Sequence, residues 1–578
     1  MSEPEDYLGA TPAEASPLPE PERRPRSRSG AVMVFAGILL SRIMGFIREG
    51  TFARFFGVGP HQDALTAAMR VPNVLQNLLG EGILSASFIP IYSRFLAAGK
   101  EEDAGRFAGA VFGLMLATAA GIALLGNVLA RPIVVFLAPG FRGDAARVAA
   151  GALAVDRFEL TVTGVRILFP MTGFMVLSVW ALAVLNSHRR FFLPYVAPVL
   201  WNSAQIAALI VAARLLVTPG SPGHGLRDAA VQISLFRAAC WGGLLGGLLQ
   251  FLVQVPGVVR VLKGFRLSFS TRVPGVREAL SAWWPAVAGR GVVQLAGYID
   301  LFLASLLATG ATSADRFAQM FYLLPIGLFG VSVAASELPE LSRLRAEGAA
   351  EAMLGRVRRA LRYVAFLNAP TVVGYLAFGY LVIGLYRRGN FGVSANWLVY
   401  LVLCGYSTGI LATTTSRLLQ NTFYALGDTR SPARIAAIRV GTSALLAVPL
   451  MLLFDHLPLS RLVGPLPGQP LFLGSVGLSL ASGFGAWMEL LQLRAALRRR
   501  IAEFELPWRE DARLVLIALG AALPAAIVWW LLPPLPFILK AGAVLGTYGL
   551  AYLLICRLAG VEEVESFVSG LRRRLKRR

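Results

Sequence analysis

Long apolar stretches recur along the whole chain, and they constrain its fold more than any other feature. Each has about 20 or more residues with few charges, the length that an α-helix needs to cross a bilayer. Of the 578 residues, 56% are hydrophobic and 15% are charged, and the mean hydropathy is +0.62. The pattern predicts an all-α polytopic membrane protein with about fourteen transmembrane helices. We expect them near residues 31–57, 62–92, 107–137, 160–186, 192–216, 230–258, 278–308, 316–341, 360–386, 396–424, 431–454, 470–495, 511–532 and 535–556.

The net charge of +22 follows the predicted topology and does not indicate a nucleic-acid surface. Lysine and arginine are concentrated in alternate loops, whereas a nucleic-acid-binding protein would gather them on one soluble domain. The basic loops and the arginine-rich tail at 572–578 fall on one side, which predicts that both termini are cytoplasmic. The expected location is the bacterial plasma membrane. Residues 1–29, rich in Pro, Glu, Ser and Arg, are predicted to be a disordered tail.

Motifs for catalysis or metal binding do not occur in the sequence. Walker A, G-x-S-x-G and H-E-x-x-H patterns are missing. Cys240, Cys404 and Cys556 lie far apart in apolar stretches, and the four histidines lack paired-ligand spacing. We therefore predict that the protein is not an enzyme, binds no metal and carries no cofactor.

Two short motifs recur six predicted spans apart. The pattern P-x-x-S-R occurs in FIPIYSRF at 88–95 and in ELPELSRL at 337–344. A basic turn before a proline occurs at 186–194 and again at 425–432. Copies separated by an even number of spans keep one orientation, so we predict a parallel repeat of two six-helix lobes, as in some secondary transporters. The predicted bounds are 30–265 for the N-lobe, 266–503 for the C-lobe and 504–578 for a C-terminal helix pair with a basic tail.

Charged residues inside the first two predicted spans are the main candidates for function. Arg42, Arg48 and Glu49 lie in the first span, and Arg70 and Glu81 lie in the second. A guanidinium in hydrocarbon costs about 2.5 kcal/mol or more, so these side chains are expected to face a water-filled cavity. The alternatives are that Arg48 and Glu49 only pair with each other and that Arg42 extends to the lipid headgroups. Arg42 and Glu49 share a helix face because they are two turns apart. A cavity lined by arginines predicts an anionic ligand, since a planar guanidinium pairs two phosphate oxygens and stays charged at any cellular pH.

The seventh predicted span contains a further intramembrane pair, Arg290 and Asp300. Ten residues separate them, so they are not one helical turn apart. Arg290 is another candidate for anion binding. An isolated intramembrane carboxylate is a candidate proton or cation site, so Asp300 is the candidate for ion coupling, with structural pairing to another helix as the alternative.

Several segments together resemble one known family. They are SRIMGFIREG at 41–50, D-x-x-x-x-A-x-R-V-P-N at 63–73, GEG at 80–82, RFFLPYVAPVLWN at 190–202, LPIGLFGVSVA at 324–334 and FYALGDTRSPARIA at 423–436. The chain resembles the MurJ/MviN family, lipid II flippases of the MOP superfamily, collinearly over residues 31–560. The resemblance implies a C-terminal pair that forms a groove for a polyprenyl tail. The implied activity is moving undecaprenyl-diphosphate-linked disaccharide-pentapeptide to the outer leaflet. Implied partners are this lipid-linked diphosphate, membrane lipids and cell-wall synthesis proteins.

The family's cavity residues are only partly present. Those that match are Arg42, Arg48, Glu49 and Glu81. The second-span arginine of the family falls on Gln76, and the eighth-span arginine falls on Met320. Arg316 lies one turn before Met320 and Arg290 lies in the neighbouring helix, so either could supply a relocated cation.

Coupling and substrate are left open by the sequence. Asp300 matches a residue of relatives that bind a cation around the seventh and eleventh spans, but the stretch RVGTSALLAVPL at 439–450 offers few oxygen ligands. Coupling to H⁺, to Na⁺ or to the membrane potential is therefore undecided. The alternatives to lipid II transport are a flippase for another lipid-linked saccharide, a drug or cation antiporter, a membrane enzyme acting on the same lipid, and a non-transporting scaffold. An antiporter would need an acidic cavity, and the departures at Gln76 and Met320 motivate the scaffold.

Overall fold

The computed structural model describes residues 28–79, 84, 87–217, 225–467, 469–501, 504–533, 536–565 and 569. Every described segment is helix, turn or loop, apart from one isolated β-bridge between Pro458 and Phe472. The prediction of an all-α fold is confirmed. Glu81 lies outside the described residues, and so do the side chains of Gln76 and Arg290.

The longer described helices are labelled α1–α14, and some labels cover two pieces. Shorter helices without a label are Ala130–Leu137, Pro139–Gly143, Asp144–Ala149, Gly384–Tyr386 and Ser460–Val463. The N-lobe contains α1 (Arg28–Phe56), α2 (Pro60–Leu79 and Ile89–Ala97), α3 (Glu101–Val128), α4 (Arg157–Ser187), α5 (Phe192–Leu216) and α6 (Ala229–Leu252 and Val255–Val261). The C-lobe contains α7 (Val276–Ser305), α8 (Ala311–Pro325 and Ser332–Ala346, joined by the π-helical turn Ile326–Val331), α9 (Ala350–Ile383), α10 (Val393–Ser407 and Ile410–Ala425), α11 (Arg430–Asp455) and α12 (Gly474–Arg498). The C-terminal pair is α13 (Trp508–Leu531) and α14 (Phe537–Leu558).

Within the described part of the chain, nine of these segments are long and apolar enough to cross a membrane, and the bent α10 makes ten. The nine do not include α1, α2 or α7, which carry the candidate site residues. Charged side chains lower the mean hydropathy of a helix, so a span that lines a polar interior has a lower mean hydropathy than one that faces lipid. Fourteen membrane crossings stay a prediction, and so do the lobe boundaries.

The C-terminal pair is attached to one helix of the C-lobe. Apolar residues of α13 and α14 form one buried cluster with α9. The hydroxyls of Tyr548 and Tyr552 donate hydrogen bonds to the backbone carbonyls of Pro370 and Phe366, each at 2.8 Å. These bonds attach the pair to the C-lobe, because both acceptors belong to α9.

Helix α7 connects the lobes and contacts both of them. It packs against α2 on one side and against α8, α11 and α12 on the other. The extended linker that precedes α7 lies along α3, where three glycines leave room for it. A Cβ at Gly105, Gly109 or Gly113 would collide with the backbone oxygen of Lys263, Arg266 or Ser268, respectively. The linker thereby brings α7 to the boundary where polar side chains of both lobes meet.

Candidate functional site between the lobes

Three charged side chains join α1 of the N-lobe to α8 of the C-lobe. The Oε1 atom of Glu49 accepts hydrogen bonds from Arg48 Nη2 at 2.7 Å and from Arg316 Nη2 at 2.8 Å. Arg48 and Glu49 are only 5% and 3% exposed. The Arg48 guanidinium also lies 4.6 Å from the ring centroid of Trp201 in α5, within the range of a cation–π contact. One carboxylate therefore holds a cation from each lobe.

Arg48 keeps unused donors in this arrangement. Its Nε and Nη1 atoms are buried and have no hydrogen-bond partner among the described residues. A buried donor left unsatisfied costs about 1–3 kcal/mol, so such a group calls for a ligand or water at some stage. Arg48 is thus able to bind an anion in addition to Glu49.

Arg42 lies at the same boundary, two helical turns from Glu49 towards the predicted cytoplasmic end of α1. Its side chain is exposed. It faces the π-helical turn of α8, where a Cβ at Gly327 would come within 3.1 Å of Arg42 Nη1. Turns of this kind interrupt α-helices frequently at functional sites. Arg42 and Glu49 therefore both contact α8, Arg42 at Gly327 and Glu49 at Arg316.

A second polar group surrounds Arg70 of α2. Its guanidinium crosses Gly297 of α7 so closely that any Cβ there would overlap Nη2. Arg70 interacts electrostatically with Asp300 of α7 and Asp315 of α8. Asp315 is 6% exposed and accepts a hydrogen bond from the Tyr406 hydroxyl at 2.6 Å. Asp300 therefore has a cationic neighbour from the other lobe. This neighbour is what the sequence analysis described as structural pairing to another helix, the alternative to ion coupling.

Two adjoining pockets connect these groups. They share Thr66, Arg70 and Arg316, and Glu49 lines one of them while Asp300 lines the other. Each offers about 30 Å³ to water, enough for about two molecules. A diphosphate with a disaccharide is much larger than this. Neither of these two pockets has room for such a ligand, so the groups that line them have to separate to admit it there.

Asp63 closes the cleft at its predicted outer end. It is fully buried and accepts hydrogen bonds from the backbone N–H groups of Gly310 at 2.7 Å and Ser313 at 2.8 Å. Its other partner is Arg157, 3.3 Å away, which Asp144 holds with two further bonds. A carboxylate of the N-lobe thus caps the N-terminus of α8 in the C-lobe. The sequence could not assign this role, because the two backbone partners are 247 and 250 residues away.

Further contacts close the same end. The backbone N–H of Asn390 donates to the carbonyl of Arg54 at 2.9 Å, and its side-chain amide donates to the carbonyl of Phe55 at 2.7 Å. The backbone N–H of Gly140 donates to Ser305 Oγ at 3.3 Å. Each of these bonds links the two lobes, so this end of the cleft, the predicted outer end, is held together at several points.

The relocated cation has one clear position. Arg316 lies on Glu49, as described above, while the Met320 sulfur lies 3.5 Å from the Tyr386 hydroxyl. Arg316 therefore reaches the cluster from one turn earlier in α8. For Arg290, only the backbone of α7 lies within the described residues, so its part in anion binding stays a prediction. The same holds for Glu81.

Helix α11 contributes a cation beside Asp300. Arg439 Nη1 donates to Glu489 Oε2 in α12 at 2.5 Å, and it interacts electrostatically with Asp300. Among the described residues, His, Cys, Asp and Glu form no group of three that could hold a metal ion. Arg439 is thus paired with Glu489 and lies close to Asp300.

Two helical lobes that meet at a buried charged cleft, with a linker between them, define a transporter of the lobed membrane class. A sequence model of the family described as "Lipid II flippase MurJ" matches residues 52–535. A probable lipid II flippase MurJ of Rhizobium tropici is 30% identical over 560 residues, which are 95% of this chain and 96% of that protein. The lipid II flippase MurJ of Burkholderia cenocepacia is 30% identical over 476 residues, 81% and 84% of the two chains. The chain belongs to the MurJ family.

Solved structures show the same fold. A lipid II flippase MurJ in an inward closed conformation matches with a TM-score of 0.68 at 20% identity, covering 91% of this chain and 99% of that one. An inward-facing multidrug resistance MATE transporter of the MOP superfamily matches with a TM-score of 0.58 at 16% identity, covering 82% and 98%. The family resemblance and the fold class inferred from the sequence are both confirmed.

Proposed function

We propose that the protein flips lipid II from the cytoplasmic to the outer leaflet of the bacterial plasma membrane by alternating access. The observation that carries this proposal is the inter-lobe cluster of Arg48, Glu49 and Arg316. Arg70 lines the same pocket as Glu49 and Arg316, and Arg42 lies against α8 at Gly327. Four guanidinium groups at one boundary suit a diphosphate, which offers several anionic oxygens to planar donor pairs. The names of the relatives support the same substrate.

Glu49 occupies two of these cations in the described arrangement. It bridges Arg48 and Arg316 across the lobes, as a diphosphate oxygen would do in its place. When the cleft widens, Arg316 moves away from Glu49 and needs another anion, because an unpaired guanidinium inside a membrane protein is costly. Substrate supplies that anion. Widening is therefore easier with the diphosphate bound than without it.

The direction of transport rests on topology. Both termini are proposed to face the cytoplasm, which the distribution of basic loops supports. In that orientation Asp63 and Asn390 lie on the outer side, and their inter-lobe bonds break when the site opens outwards. Cell-wall synthesis proteins that use the flipped lipid are the proposed partners.

Replacing Arg48 tests the proposal. Arg48→Ala should abolish flipping while the protein still inserts and folds, because it removes charged hydrogen bonds worth about 1.5–3 kcal/mol each. Arg48→Lys should restore little activity, since a point charge lacks the planar fork. The measurement is the accessibility of lipid II in each leaflet of proteoliposomes. Arg131→Ala is the control, because Arg131 is exposed and pairs with Glu159 inside the N-lobe. Full activity of Arg48→Ala would contradict the anion-clamp mechanism.

A different lipid-linked saccharide is the second candidate substrate. Gln76 and Met320, where the family usually carries arginines, favour it. Expression in cells depleted of their own lipid II flippase separates the two candidates. Restored growth supports lipid II. If growth is not restored and the purified protein flips another diphosphate-linked saccharide, that saccharide replaces lipid II as the proposed substrate.

A further inference from the structure

A small polar pocket lies between α2, α7 and α8, next to the proposed substrate site. Asp300 and Asp315 both line it, and so do Arg70 and Thr312. Thr312 is 3% exposed, and its hydroxyl has no hydrogen-bond partner among the described residues. The Nε atom of Arg70 is likewise buried and unpaired there. Unsatisfied polar atoms around a space for about two waters indicate a hydrated pocket that separates two carboxylates.

Cations from three helices lie near the two carboxylates of this pocket. The neighbouring titratable groups come from five helices and are Arg70 of α2, Tyr298 of α7, Arg316 of α8, Tyr406 of α10 and Arg439 of α11. Arg316 is bonded to Glu49 and Arg439 to Glu489. Among the described side chains that line the pocket, Arg316 shares Glu49 with Arg48, and Arg70 makes no ion pair of its own. Two carboxylates at one site in a low dielectric do not both ionise readily.

We propose that Asp300 and Asp315 share one proton, and that this proton controls how firmly Arg70 is held away from the substrate. The proposal rests on the proposed function, because it assigns an ion to the same transport cycle. A hydronium ion gives its proton to one carboxylate oxygen and leaves water. The pair then carries one negative charge instead of two, and it holds Arg70 less strongly.

Arg70 links the proton to the diphosphate. It lines both pockets, so its guanidinium is shared between the carboxylate pair and the cluster around Glu49. A protonated pair frees Arg70 for the diphosphate, and an ionised pair competes with the diphosphate for it. By linkage, substrate binding and proton uptake favour each other. Movement of the lobes relative to each other then decides from which side the proton enters and leaves.

A sodium ion fits this pocket less well than a proton. Asp315 already accepts hydrogen bonds from Tyr406 and Gln319, which leaves few oxygen lone pairs for a metal. Arg439 adds positive charge near Asp300. A proton needs one carboxylate oxygen, whereas a hard cation needs several oxygen ligands.

The test measures the affinity of the purified full-length protein for undecaprenyl diphosphate over about pH 5 to 9, with and without sodium. The wild type should lose affinity as the pH rises, by up to about tenfold per pH unit for one linked proton. Asp300→Asn and Asp315→Asn each fix the pair at one negative charge, so each should bind with the affinity of the acidic wild type at every pH. Asp156→Asn is the matched control, because asparagine caps a helix as well as the aspartate that now caps α4.

The outcomes separate the proton site from the transport function. Ionisation of the ligand is common to all variants, so the difference in slope isolates the carboxylate pair. If the affinity of the wild type and of both variants changes with pH by the same slope, the proposed proton site is wrong while the proposed function stands. An affinity that depends on the sodium concentration instead of on pH would also overturn the proposed proton site. Two variants are compared, and gel filtration confirms that each is folded. Absence of binding by the wild type at any pH would contradict the proposed function itself.

Discussion

Weakening the outer contact at Asp63 should shift the protein towards its outward-open state. Asp63→Asn keeps the shape of the side chain but removes its charge and one of the two acceptors that face Gly310 and Ser313. A hydrogen bond to a charged acceptor contributes about 1.5–3 kcal/mol, and the helix dipole adds about 0.3–1 kcal/mol. A loss of about 2–3 kcal/mol changes the ratio of open to closed protein by about 30- to 160-fold. Arg157 keeps Asp144, so the N-lobe should stay folded.

A half-buried thiol behind this contact reports the opening. Thr66→Cys places one in the pockets, and an impermeant maleimide added outside labels it at a rate that follows the open population. The background should lack Cys404, since the other two native thiols, Cys240 and Cys556, are fully buried. Labelling of the Asp63→Asn variant should be faster by one to two orders of magnitude, about the shift in population.

Two comparisons make the result decisive. Ser305→Ala removes a neutral inter-lobe bond of 3.3 Å to Gly140, and it should raise the labelling rate only severalfold. Asp156→Asn changes a carboxylate that caps α4 within the N-lobe, and it should have no effect. Unchanged labelling of Asp63→Asn, or an equal rise in Asp156→Asn, would refute the role of Asp63 in closing the cleft.

Three further predictions follow from the site and the topology. Arg316→Ala should reduce flipping as severely as Arg48→Ala, and Arg316→Lys should recover little, in the proteoliposome assay; normal transport would show that the shared Glu49 contact is structural. Gly297→Ala should displace Arg70 and weaken binding of undecaprenyl diphosphate, whereas Gly520→Ala, with open space around it, should be neutral; equal affinities would exclude Arg70 from the site. Single cysteines should be shielded from an outside reagent at Arg190 and labelled at Ser221, and the reverse pattern would overturn the orientation.

Much of the candidate site could be predicted from the sequence. Charges are costly in hydrocarbon, so Arg48 and Glu49 in an apolar stretch had to face a polar interior. The structure places them there, against α8. Arg316 was predicted only as an alternative, because its sequence position one turn from Met320 does not show whether it reaches the first span. Asp315 was not predicted, since one acidic residue near the start of a span is equally typical of an interface.

The sequence by itself determined the helical class, the order of the segments and the family, because hydropathy runs and local motifs depend on residues near one another in the chain. Only the tertiary structure decided which charges meet. Glu49 and Arg316 are 267 residues apart, and Asp63 meets Gly310 across 247 residues. Such contacts depend on how two lobes pack, and no local pattern encodes that packing. The pairing of Asp300 and Asp315 around Arg70, on which ion coupling is proposed to rest, arises in the same way from three helices brought together by folding.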